Sequence, residues 1–412
     1  MIKDVFSSTI ELENYKVEHN HKSNEKESIC EINTPISYNE FFERIICSNR
    51  PCILKVPNLI EDWISSRQWV ENNKPYFSFL SDKYGSFEVP VANCNEKYYN
   101  AQKTTYIKLD DFITYWKDYS EKGHPSDMPS LYLKDWHFPK DFPETNIYQV
   151  PQYFASDWLN EYLCGKTSIN DDYRFVYMGP KDVFTSFSWS ANVCGCKRWL
   201  LFPPGQENNL RDKFGQLAYD ATAPELHDSA MFPNYHKLCG QFEIIQKAGE
   251  VIFVPSGWHH QVWNLEDTIS INHNWVNGCN IKTMWDSLQN NLLAVKKEVE
   301  DYRTIDGWED HCQLMLRATY GMNYEEFYNF LHFIATRRLD YLGNNNPNIM
   351  FGEWKIGINH AIFDLVQLKN VLDLLLCDSN IKFISFFQNV GNQCDNLRND
   401  INSTLLKVTR HT

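Results

Sequence analysis

Two adjacent histidines, His259 and His260, follow a Pro255-Ser256-Gly257 turn and open a run of strand character ending near Asn264. Neighbours on a strand point to opposite faces, so at most one of the pair faces an interior. A neutral imidazole there is either a transition-metal ligand or a hydrogen-bonded core residue, and the residue types leave both readings open. The same stretch closes on Ile271-Asn272-His273-Asn274-Trp275, in which alternation turns His273 away from Asn272 and Asn274. Lys197 lies on a second strand-like run, Cys196 to Phe202. Pointing inward, it requires an anion, because an unpaired buried ammonium is costly; a dicarboxylate ligand supplies one. Pointing outward, it snorkels to solvent at the strand edge.

The elements around these residues divide the chain. Residues 1–35 are polar and charged and read as a flexible N-terminal arm. Residues 36–145 alternate short apolar segments with turns, an α/β region. Ser37 with Glu40 forms the pattern of a capping box. Residues 146–278 are the most β-rich: Arg174 to Tyr177, Phe184 to Val193, Arg198 to Phe202, Phe242 to Gln246, Val251 to Val254 and Thr268 to Trp275 are β-branched or aromatic. Several short strands at close spacing predict a sandwich or jelly-roll barrel. In residues 279–412 the period changes to three and four, as in Trp285, Leu288, Leu292 and Val295, and a second capping box, Asn323 with Glu326, opens another helix. The expected class is α+β with a mainly β core and a C-terminal helical region. The apolar stripes of those helices fit intrachain packing or a dimer interface.

Composition narrows the function. Lys and Arg total 39 against 53 Asp and Glu, a net charge of −14, which argues against nucleic acid as an electrostatic partner and is compatible with a basic protein partner. The N-terminus shows no signal-peptide pattern and no stretch has the length and apolarity of a membrane span, so we expect a cytoplasmic protein, with the nucleus as the alternative. The 12 cysteines include no CxxC pair, which counts against a structural zinc knuckle. Cys194 and Cys196 are the tightest pair; on one strand they would face the same side, as core thiols.

Longer strings carry a family resemblance. They are Phe175 to Pro180, Ser186 to Gly195, Lys197 to Gly205 and the Val254-to-Trp275 block, with Val89 to Cys94, Tyr115-Trp116-Lys117 and Leu131 to Trp136. Together they resemble the jumonji-C (cupin-type) Fe(II)- and 2-oxoglutarate-dependent oxygenases, over nearly all of residues 36–340. The resemblance implies a double-stranded β-helix (a jelly-roll or cupin barrel). It implies Fe(II), 2-oxoglutarate and O₂ as cofactor and cosubstrates, and hydroxylation of a lysine side chain on a translation termination (release) factor. In that family iron is held by His-x-Asp and a distal His, with open positions for 2-oxoglutarate and O₂. By resemblance Asp182 is the carboxylate ligand and His260 the distal histidine. Lys197 binds the remote carboxylate of 2-oxoglutarate. Asn274, Asn272 and Ser190 match polar residues near the cosubstrate.

One departure stands out. Two residues before Asp182 the family has histidine, and here stands Pro180, separated from Asp182 only by Lys181. A short loop, ligand included, is absent. Proline has no side-chain donor, and the nearest upstream histidine is His137. Either the natural protein keeps the histidine and a spliced-out or misassembled segment explains the gap, or the deletion is native and leaves a chain that folds but turns over poorly. The leading reading is a protein hydroxylase. The second is a catalytically dead binding protein on the same fold. A histone lysine demethylase is a third, disfavoured by the lack of a reader domain and zinc cluster.

Overall fold

A computed structural model describes residues 9–17, 29–98, 101–166, 172–180, 189–343, 350–351 and 353–408. The largest sheet among them has nine strands, in the order Cys30–Ile32, Cys52–Leu54, Val251–Phe253, Trp189–Cys194, Thr268–His273, Arg174–Gly179, Leu131–Trp136, Glu88–Tyr98 and Ala101–Lys108. A smaller antiparallel sheet holds Phe242–Lys247, Cys196–Phe202 and His259–Asn264 in that order. From Arg174 onward the chain passes back and forth between the two sheets, the jelly-roll path of a double-stranded β-helix.

Gly195 makes one of these passages. Its φ is +79°, and a Cβ there would sit 2.2 Å from the Asp267 carbonyl oxygen, so only glycine fits the turn. The passage also corrects the reading of Cys194 and Cys196. They lie on strands of different sheets rather than on one face of a single strand, and Cys194 is buried while Cys196 is half-buried.

The central strands of the large sheet, Val251–Phe253, Trp189–Cys194 and Thr268–His273, are buried on both faces. On Thr268–His273, Thr268, Ser270 and Asn272 alternate with Ile269, Ile271 and His273, and all six are buried. Ile269 and Ile271 join Trp189, Val176, Met178 and Phe253 in an aromatic-rich core behind the sheet. The opposite face meets the small sheet, where Ile53, Ile252, Trp199, Leu201, Ile244 and Val262 form a separate apolar cluster. Both strand faces are therefore core, and half of one is polar.

The expected flexible arm is corrected where residues 9–17 and 29–35 are described. Thr9–Ile10 pairs in parallel with Lys355 and Ile356, and Ile10 and Leu12 are fully buried. Cys30–Ile32 forms the edge of the large sheet beside Cys52–Leu54. Polar composition hid this because the two apolar residues that dock the segment are separated by Glu11, whose carboxylate accepts from the His360 amide at 3.0 Å. Ser37 does cap the helix Tyr38–Phe41, accepting from Glu40 N at 3.1 Å, but the Glu40 carboxylate pairs with Arg44, so the box is not reciprocal. At Asn323 both halves of the box are present.

The C-terminal helices pack on one another through Trp285, Leu288, Phe327, Leu331, Leu365 and Leu372. A buried charge network fastens them to the rest. Arg338 donates to both Glu161 oxygens at 2.7 and 2.8 Å and to Asp364 at 2.7 Å. Asp364 is 3.2 Å from His360, whose Nε2 lies 2.8 Å from the Tyr38 hydroxyl. Tyr38, Glu161, Arg338 and Asp364 come from four helices spread along the chain. No helix of the described residues is long and apolar enough to cross a membrane.

Candidate active site

Antiparallel register decides which side chains enter the barrel. In the small sheet Lys197 stands opposite Asn264, Trp199 opposite Val262 and Leu201 opposite His260. Residues directly opposed in such a pair share a face, so these six project together between the sheets. His259 takes the other face, its ring 5.8 Å from that of Phe202, as alternation predicts. In the large sheet Ser190 stands opposite Asn272, and Asn192 opposite Ser270.

Lys197 is 1% exposed, and its Nζ donates to Ser270 Oγ across the barrel at 2.7 Å. The inward of its two orientations is the one realised. Among the described residues no carboxylate pairs with it, and burial pushes its pKa down from 10.5 to about 7. Ser190 Oγ donates to Asn272 Oδ1 at 3.0 Å. Trp199 Nε1 donates to Gln246 Oε1 at 2.8 Å, and Gln246 donates in turn to the Ser190 carbonyl at 2.8 Å, joining the two sheets. The Trp199 ring also lies 5.7 Å from the imidazole of His260.

His260 is half-buried, and its Nδ1 is 3.1 Å from the Trp258 carbonyl oxygen. A carbonyl only accepts, so Nδ1 carries a proton, and in the neutral ring Nε2 then bears the lone pair, the tautomer that suits metal ligation through Nε2. His273 belongs to the core behind the sheet. Its Nε2 is 2.5 Å from the Tyr148 hydroxyl, its ring packs 4.3 Å from Trp189, and burial holds its pKa well below the usual histidine range.

Lys197, His260, Ser190 and Asn272 thus share one interior. Asn274 is not brought to them. It lies past the end of its strand, where its backbone N–H donates to the Tyr173 carbonyl at 3.0 Å, and it lines a cavity of about 340 Å³ whose walls include none of the four. Pro180, where the family has histidine, ends the Arg174–Gly179 strand, and its carbonyl accepts from Asn264 Nδ2 at 3.0 Å. Asp182 lies outside the described residues.

The sequence reading missed Ser270, Asn192 and Asn264. Ser270 and Asn272 share a strand face by alternation, so Ser270 was within reach of a local rule. Asn264 required the register of two sheets: its amide bridges the Gly179 and Pro180 carbonyls at 3.3 and 3.0 Å, beside Lys197. Gly179 is needed for that seam, because a Cβ there would stand 2.4 Å from the Tyr132 ring.

Donor chemistry tests what this interior fits. One ammonium among amides and hydroxyls, with no carboxylate pairing among the described residues, fits an anionic ligand. For a transition metal the described residues offer His260; Pro180 has no donor, and no three His, Cys, Asp or Glu side chains among them converge to hold an ion. They therefore fit the dicarboxylate but do not by themselves make an iron site.

The comparisons with known proteins agree with the barrel. The Cupin-like domain family matches residues 38–281, and the chain belongs to it. Within that class it is 46% identical over 368 residues to the 2-oxoglutarate and iron-dependent oxygenase JMJD4 of Danio rerio, covering 85% of this chain and 86% of that protein. It is 46% identical over 350 residues to the human protein of that name, covering 82% of each. The Drosophila melanogaster homolog is 39% identical over 383 residues, with 84% and 87% covered. The chain is a member of the JMJD4 group of cupin-like, jumonji-C proteins.

Proposed function

We propose that this chain carries the barrel of an Fe(II)- and 2-oxoglutarate-dependent protein oxygenase, with O₂ as the second cosubstrate. Its buried Lys197 holds the remote carboxylate of 2-oxoglutarate. The observation that carries the reading is the Lys197–Ser270 pair, an ammonium and a hydroxyl placed inside the barrel together. A carboxylate there takes hydrogen bonds from both, and the bound anion favours the protonated form of Lys197. His260 keeps the Nε2 lone pair because Trp258 holds the proton on Nδ1. Iron, held by His260 and Asp182, would supply the oxidative decarboxylation of 2-oxoglutarate and oxidation of a C–H bond. Trp199, Leu201 and Val262 exclude water beside it. We further propose that the substrate is a lysine side chain of a translation release factor, met in the cytoplasm. Support comes from the resemblance and from an acidic chain suited to a basic partner.

The test is incubation of the purified chain with Fe(II), 2-oxoglutarate and a release-factor domain. The expected result is succinate formed together with one oxygen atom added to a lysine. Succinate without lysine oxidation removes the substrate assignment and leaves the oxygenase.

Pro180 favours a second reading, a binding protein on the same fold that takes 2-oxoglutarate and turns nothing over. Measurable 2-oxoglutarate binding without succinate, with turnover recovered once a His-x-Asp loop is restored before Asp182, assigns the chain to it. Restoration without recovery overturns the ligand assignment of Asp182 and His260.

A further inference from the structure

Cys47 and Cys279 are 232 residues apart in the chain, yet their sulfurs are 3.1 Å apart. None of the 12 cysteines is in a disulfide. Cys47 closes the helical turn Phe42–Ile46, and Cys279 immediately precedes Asn280, which caps the helix Ile281–Glu298. The two turns are held independently to one residue. Asn49 Nδ2 donates to the Ser256 carbonyl at 2.9 Å, and Asn280 Nδ2 donates to Ser256 Oγ at 3.0 Å. Ser256 belongs to the turn that leads into the His260 strand, and Trp258 of that turn donates to the Asn49 carbonyl at 3.1 Å. Both cysteine backbones are thus preorganised, and a bond of about 2.05 Å needs an approach of roughly 1 Å.

We propose that Cys47 and Cys279 are a peroxide-dependent disulfide site, whose bond staples the N-terminal helical turn to the start of the C-terminal helices beside the His260 strand. Cys279, half-buried in the wall of the 340 Å³ cavity, meets the oxidant; Cys47 is buried behind it. The Cys279 thiolate attacks one oxygen of a hydroperoxide, the O–O bond breaks, and the alcohol leaves with the thiol proton, giving a sulfenic acid. The Cys47 sulfur then attacks that sulfur and displaces hydroxide, which leaves as water with the Cys47 proton. Two thiols and one hydroperoxide give one disulfide, one alcohol and one water; two electrons pass from sulfur to oxygen. Burial raises the Cys279 pKa well above the usual thiol value, so the first step is slow and proximity makes the second fast.

Cys279 and Ile46, the neighbour of Cys47, both line the cavity in which Asn274 sits, so oxidation fixes these two parts of its wall relative to each other. Thiol-disulfide switches of this kind are the usual form of disulfide in a reducing compartment.

The experiment treats the full-length reduced chain with hydrogen peroxide, quenches with alkylating agent and maps linked peptides by mass spectrometry. The expected result is a Cys47–Cys279 peptide as the main disulfide, removed by dithiothreitol, with the melting temperature raised by roughly 3–8 °C in the oxidised chain. In Cys47→Ser, the same treatment with dimedone present should label Cys279. Absence of the linked peptide while the exposed Cys164, Cys239 and Cys377 are oxidised overturns the proposal, as does a linked peptide that appears only in denaturant.

Discussion

Lys197 and Ser270 reach each other from opposite sheets, Nζ to Oγ 2.7 Å, inside a barrel whose other polar side chains, among those described, are amides, hydroxyls and the imidazole of His260. The ammonium is out of water and held by one neutral oxygen. That arrangement is unfavourable for the empty protein and favourable for an anion.

Replacing Lys197 by Met should therefore separate binding from stability. Affinity for 2-oxoglutarate should fall by about ten- to a hundredfold, the worth of one charge-assisted hydrogen bond. Stability at pH 6 should hold or rise, because a buried charge is removed. Calorimetric titration and thermal melts of the two proteins check both halves; loss of binding with collapse of the fold would remove the anchoring role.

The depressed pKa of Lys197 sets a pH dependence. Its folded value, about 7, lies below the unfolded 10.5, so the folded state sheds the proton first. The stability contribution rises with pH between these two values, and below 7 the full penalty of the buried charge is present. A bound carboxylate requires the protonated form, so 2-oxoglutarate affinity should fall about tenfold per pH unit above 7. Titrations from pH 6 to 9, in buffers of different ionisation enthalpy, should show proton uptake growing with pH. A flat affinity would contradict this.

Asp157 behaves in the opposite sense. It caps the helix Trp158–Gly165, accepting from Asn160 N at 2.9 Å, and burial lifts its pKa from 3.8 to about 7. The folded state keeps the proton longer, so stability falls as pH rises from about 4 through 7. Asp157→Asn should flatten that slope while retaining a cap. Urea denaturation at pH 4.5, 6 and 7.5 measures it, and an unchanged slope would assign the titration elsewhere.

The Arg338 network makes a larger prediction. Arg338→Met leaves Glu161 and Asp364 buried without their shared partner, and breaking such a network costs about 3–5 kcal/mol. Arg338→Lys should recover only part, because an ammonium cannot form the bidentate pair with Glu161. Chemical denaturation of both variants gives the comparison. Equal stability of Met and Lys variants would show that geometry, not charge, holds the helices.

Much of the site was legible because its rules are local. The opposition of His259 and His260, and of Asn272 and His273, follows from the two-residue period of any strand. Helix faces such as Trp285, Leu288, Leu292 and Val295 followed from the 3.6-residue period. The N-terminal arm misled because two buried residues, Ile10 and Leu12, are too few to outweigh a polar composition. Cys194 and Cys196 misled because a single Gly195 moved the chain to another sheet.

The order of residues was enough to determine which side chains stand on the same strand face and where the period shifts from strand to helix, since both depend on backbone geometry over a few positions. Tertiary structure decided which of those faces meet. Ser270 is 73 residues from Lys197, and Asn264 is 84 from Pro180. Their contacts arise from stacking two sheets in one register, a packing of distant segments that no local period encodes.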